Sequence, residues 1–277
     1  MKADEWCLLA VLCVLSLGLN IWNNSFPIGY HGDEPKKVQF VQTGDQDFHH
    51  PILLLQLTRA ASYFWGWDDN QVVLAGRTVS ALAGVAVVVF VFLLARRTMP
   101  QPWSWLAAAA SASTPILVIH SHYLKEDVLF SACAFATLWG IVRLAERPTW
   151  GCAAQLGVLA GLAFSSHYKS VLLCPIALFF PLIAPLQDRW AFYLKLLVAF
   201  FVAEFVFLTV NYPILFSPEV FISGLLHEKD HALSGHDLRV YPSVYFFAFH
   251  FVKSLGPGMT WPAVVLATLG TAVCCIQ

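Results

Sequence analysis

The sequence predicts an all-α, polytopic membrane protein, and three observations lead there. The 277 residues are 58% hydrophobic and 12% charged, too little charge to cover a soluble surface of that size. Seven or eight apolar stretches recur along the chain, most of them near the roughly 20 residues that carry a helix across a hydrocarbon core. The polar residues are also sorted. With loops alternating between two sides, all ten histidines and most carboxylates fall in or beside one set, and arginines mark the other. A net charge of −1 offers no basic field for nucleic acid.

The candidate spans are 6–22, 72–95, 103–119, 127–143, 152–166, 170–186 and 191–211, with an eighth near 260–276. The first run, Trp6 to Trp22, lacks a small-x-small cleavage site and reads as an uncleaved span. An outer loop, 23–71, follows it. The middle of that loop, His50 to Trp65, mixes apolar residues with Gln56, Thr58 and Arg59 and ends in aromatics, which predicts an amphipathic helix lying in the interface. Arg96 and Arg97, then Arg143 and Arg147, then Arg189 and Lys195 occupy short loops, and the positive-inside rule places these with the N-terminus in the cytoplasm.

The histidine-rich loops, including 212–258, then face the other side. Val244 to Leu255 is too short to cross and predicts a second interfacial or re-entrant helix, broken by Gly256-Pro257-Gly258. Residues 1–277 form one transmembrane domain, and its end within an apolar run is what an incomplete C-terminus would give. The seven cysteines lie in apolar runs without a CxxC, so packing roles are expected rather than disulfides or thiolate metal sites.

The sharpest local signal is His31-Gly32-Asp33-Glu34-Pro35, just beyond the first span. Adjacent carboxylates beside a membrane-bounded cavity can divide labour, one taking a proton and the other holding a cation or a sugar hydroxyl. A solvated turn is the alternative, since Gly, Asp and Pro are common turn residues. His120, His122, Lys125, Glu126 and Asp127 form a second dense turn, with Asp127 a candidate for acceptor or metal binding.

His227, Glu228 and His231 fit H-E-x-x-H by their letters, and residues four apart share a helix face. They are read here as part of a polar substrate loop that runs on to His236, with a zincin-like metalloprotease and a metal-assisted transferase as alternatives. A divalent metal on Glu34, His227 and His231 is the cofactor such residues would hold. Glu204, inside the seventh span, is an intramembrane carboxylate and a functional candidate on that ground.

Taken in order, several features resemble the protein O-mannosyltransferase superfamily, which includes the lipid A aminoarabinose transferases and has the GT-C membrane fold. They are Asp33-Glu34 after the first span, His50-Pro51 opening the Ile52 to Leu57 stretch, Asp127 at the head of the fourth span, Gly161-Leu162-Ala163-Phe164 followed by Lys169, and the stretch from Tyr241-Pro242 to Gly256-Pro257. The resemblance implies transfer of a hexosyl or pentosyl group from a polyprenyl-phosphate carrier to a lipid, glycan or protein acceptor. The site would face the non-cytoplasmic side, of the plasma (inner) membrane in a bacterium.

Asp33 takes the role of base in an inverting displacement, assisted by Glu34. His50, Asp127, Lys169 and His236 become substrate-binding residues, with Lys169 meeting phosphate. Relatives usually continue through several more spans, a departure that bears on carrier binding. The rivals are a cation permease, for which only Glu204 lies well inside a span, the metalloprotease, and a non-catalytic fragment that binds a partner or lipid.

Overall fold

The computed structural model describes residues 3–184, 186, 188–234, 248, 249 and 251–276, and among these every regular element is helical. α1 (Ala3–Ile21) is followed by two short helices, α2 (Glu34–Thr43) and α3 (Leu53–Trp65). α4 (Asp69–Thr98) is about 45 Å long at 1.5 Å per residue. It is started by a capping box in which Asp68 Oδ1 accepts from the Gln71 amide at 2.9 Å and Gln71 Oε1 accepts from the Asp68 amide at 3.3 Å. At its far end Arg96 pairs with Glu5 and Arg97 with Glu146. The arginine loops and the histidine loops therefore lie at opposite ends of this helix.

α5 (Gln101–Ser113) and α6 (Pro115–Ser121) are one apolar run bent by 49°. Pro115 drives the residue before it out of the helical region, and Thr114 is extended. α7 (Glu126–Glu146), α8 (Trp150–Ser166), α9 (Leu173–Ile183), α10 (Arg189–Val210) and α11 (Pro218–Ser234) follow. Among the described residues α4, α7 and α10 are long and apolar enough to cross a membrane, with the bent pair a fourth. The other four expected spans correspond to shorter apolar helices, among them α1, α8 and the last helix, Trp261–Ile276.

Three apolar clusters hold the bundle. Val38, Leu54, Val72 and Val128 join α2, α3, α4 and α7 near the start of α4. Ile141, Leu156 and Ala199 join α7, α8 and α10, and Leu9, Val88 and Ala108 join α1, α4 and α5. The α8–α10 contact is close because small residues face each other. A Cβ on Gly157 would stand 2.6 Å from the Ala199 carbonyl oxygen, and one on Gly161 2.7 Å from that of Ala203.

Three expectations need correction. Residues 34–43, taken as part of a turn and loop, form α2. Its buried face is Glu34, Lys37, Val38 and Val41, a helical spacing hidden because two of the four are charged. His227 and His231, expected in a polar loop, lie on α11. Gly256-Pro257-Gly258 does not break its helix: residues 251–255 run on through Gly256–Met259, and the turn comes at Thr260, with φ 71°.

Candidate active site

The end of the bundle remote from Arg96 and Arg97 holds a polar cavity of 390 Å³. The loop after α1 contributes Gly32 and Asp33, and α2 contributes Lys36 and Lys37. The segment leading into α3 brings His49 and His50. The α6–α7 turn brings Lys125 and Glu126, with Asp127 beside them. The turn after α8 adds His167 and Lys169, and α11 closes one side with His227, Glu228 and His231. Asp33, His50, Asp127, Lys169, His227 and His231, singled out from the sequence at widely separated positions, thus meet in one space. His236 lies outside the described residues.

Asp33 precedes the first residue of α2 and stays half-exposed, 51% by side chain. Its Oδ2 is 3.5 Å from Lys125 Nζ and 3.8 Å from His31 Nδ1. Partial burial would raise its pKa, but the charges of Lys37, Lys125 and His31 outweigh that and hold the carboxyl below its usual range. It is ionised at neutral pH. Asp127 Oδ2 lies 3.8 Å from the same Lys125 ammonium and 3.6 Å from His120 Nδ1. Lys125 therefore stands between two of the carboxylates that line the cavity.

His50 and His167 are in ring contact, with centroids 4.8 Å apart. His167 is buried, and its Nδ1 accepts from the Lys169 amide at 3.2 Å. Burial, then the fields of His50 and Lys169, push its pKa down to about 4, so the ring is neutral at physiological pH. His50 Nδ1 is buried without a hydrogen-bond partner among the described residues. His49 and His227 stack at 3.9 Å with rings nearly parallel.

Glu34 occupies a different place from the one expected. It is fully buried and does not line the cavity. Arg77 Nε donates to its Oε1 at 2.9 Å and Arg77 Nη2 to its Oε2 at 2.7 Å, and the Leu124 amide donates to Oε1 at 3.1 Å. Both carboxylate oxygens are held by these donors, away from the cavity. Glu34 fixes the α2 start from behind. The metal set of Glu34, His227 and His231 is accordingly not assembled, and among the described residues no group of three or more His, Cys, Asp or Glu side chains is placed to hold a metal ion.

Arg77 is the residue the sequence reading missed. It is 1% exposed, also donates to the carbonyls of Asn24 (2.8 Å) and Phe26 (2.7 Å), and stacks on Phe26. The signal was there, an arginine inside an apolar span. Glu204, chosen instead on the same rule, lies on the exposed face of α10 among Phe201 and Phe205 and does not line the cavity. Lys37, paired with Glu126, was also missed.

Comparison with known proteins gives one family and one fold. The sequence model described as dolichyl-phosphate-mannose-protein mannosyltransferase matches residues 49–212, a stretch that includes His50, Asp127 and Lys169 and leaves out Asp33 and α11. No curated protein matches the chain. The structure is similar to the Saccharomyces cerevisiae protein O-mannosyltransferase Pmt1–Pmt2 complex bound to the sugar donor, with 18% identity over 76% of this chain and 34% of that one and a TM-score of 0.61.

It is also similar to the oligosaccharyltransferase of Archaeoglobus fulgidus in the apo form, with 17% identity over 97% of this chain and 37% of that one and a TM-score of 0.66. The same enzyme, AglB, in complex with an inhibitory peptide and a dolichol-phosphate gives 16%, 98% and 37% with a TM-score of 0.64. The chain spans a little over a third of the length of these proteins, and at such identities the likeness is one of fold, the all-α GT-C membrane architecture.

Proposed function

Since the chain belongs to the dolichyl-phosphate-mannose-protein mannosyltransferase family, we propose that its cavity transfers a sugar from a polyprenyl-phosphate carrier to an acceptor hydroxyl, on the non-cytoplasmic side, with inversion. The observation that carries this reading is an ionised, half-exposed Asp33 3.5 Å from Lys125, in one cavity with Asp127 and Lys169. The acceptor oxygen attacks the anomeric carbon opposite the phosphate. The bond from that carbon to the phosphate oxygen breaks, and the electron pair leaves with the phosphate. The acceptor proton passes to Asp33 once the new bond has made it acidic.

The departing phosphate carries the developing charge, and Lys125 and Lys169 are the cavity ammonium groups suited to meet it. His50 and Asp127 serve as substrate-binding groups. A solved neighbour that holds a sugar donor and another that holds dolichol-phosphate support a carrier-linked donor.

The test is sugar transfer by the purified chain in lipid, with a panel of polyprenyl-phosphate sugars. Asp33→Asn is expected to lower transfer by about 100-fold or more, in line with loss of a general base. His227→Ala is expected to stay within a few-fold of wild type. Transfer retained in Asp33→Asn would sink the assignment of Asp33. Activity that depends on His227 instead would reopen the metal-assisted readings.

A further inference from the structure

His49 and His50 sit on a segment whose backbone does not relax by itself. Phe48, immediately before them, has φ 53° although it is a buried phenylalanine. Bulky residues rarely occupy that left-handed region, and they persist there only where the surroundings over-determine the chain. Two anchors from distant parts of the sequence bracket the pair. Upstream, the Tyr168 hydroxyl donates to the Phe48 carbonyl at 2.7 Å. Downstream, the Ile52 amide donates to Asn211 Oδ1 at 2.9 Å.

Asn211 is fully buried and its amide is satisfied, Nδ2 donating to Ser165 Oγ at 3.1 Å and to the Phe207 carbonyl at 2.9 Å. It thereby references the start of α3 to both α8 and α10. Tyr168 does the same from the turn after α8, next to His167, whose ring meets that of His50. The strained stretch is thus fixed at both ends, to the turn that carries His167 and Lys169 and to α8 and α10.

We infer that Tyr168 and Asn211 are positioning residues, which hold the segment 48–52 so that His50 faces the transferring group. The inference rests on the transferase reading for its kinetic consequence only. Neither side chain has to touch substrate. Their contribution is to place His50, and displacement of a site group by about 1 Å is enough to cost on the order of 100-fold.

The test uses the full chain in lipid nanodiscs, with isotope-labelled histidine and the polyprenyl-phosphate sugar panel. Tyr168→Phe removes one oxygen and keeps the ring, and Asn211→Leu removes both polar ends. Each is expected to lower kcat/KM for the donor at least ten-fold, and the double variant to be about as impaired as the more impaired single. The His50 ring resonances should shift or broaden in each, while those of His122, bonded to the Val118 and Trp22 carbonyls, stay in place.

Tyr193→Phe is the control, since that hydroxyl bonds the Leu178 carbonyl on another element. A loss of kcat/KM smaller than ten-fold, or an unmoved His50 signal, would overturn the inference. A wild-type chain without transfer would end the transferase reading, and the His50 signal would still decide the positioning. If Asn211→Leu fails to fold, Tyr168→Phe alone gives the answer.

Discussion

Arg77 shows how much one side chain settles. Its guanidinium and the Glu34 carboxylate are 1% and 0% exposed, and the bidentate pair carries the α2 start, hence Asp33, on α4. Removing one member leaves a buried charge, a change that costs about 3–5 kcal/mol. Arg77→Met is therefore expected to lower the unfolding temperature in detergent markedly. The Arg77→Leu/Glu34→Leu pair should recover only part of the loss, because the carbonyls of Asn24 and Phe26 stay without their donor. Unchanged unfolding in Arg77→Met would mean that Asp33 is held by something else. Asp33 and Asp127 could be picked from the sequence because each stands in a polar patch at the edge of an apolar run, whereas His50 and Lys169 are singled out through the family resemblance. The true partner of Glu34 could not be picked, since a contact spanning 43 residues leaves no trace in local spacing.

The helices were readable where composition alone decides, and unreadable where charge sits on the buried face. α4, α7 and α10 follow from length and hydropathy. α2 does not, because Glu34 and Lys37 occupy core-facing positions that only Arg77 and Glu126 make tolerable. α11 was masked by its own polar letters, although Phe221 packs edge-on against Phe48 and Gly224 lies against the Asp47–Phe48 backbone. The α8–α10 seam invites a direct check. In Gly161→Val the new atoms would overlap the Ala203 carbonyl and Val206, and such overpacking costs about 1–3 kcal/mol. Lower thermal stability is expected for Gly161→Val and none for Gly151→Ala, whose Cβ meets nothing within 4 Å. Equal stability of the two would mean that the seam is looser than it looks.

The whole molecule has a sidedness that sequence and structure reach separately. The arginine loops gather at one end of α4, and the cavity with Asp33, His50 and His167 at the other. In intact cells or vesicles of a variant whose seven cysteines are replaced, Gly32→Cys should react with an impermeant maleimide from outside. Arg147→Cys should react only after permeabilisation. The reverse pattern would turn the orientation over and put the site in the cytoplasm. What sequence reading could not supply was the cavity itself, because its wall depends on how far α3 and α11 lean over the bundle.

That wall is drawn from pieces lying between residue 32 and residue 231. A chain emerging from the ribosome thus has its candidate base early and the last described part of its enclosure nearly two hundred residues later. Until α11 has been made, the histidine stack and that side of the cavity do not exist. Synthesis thus delivers the described walls of the cavity at different times, Asp33 well before α11.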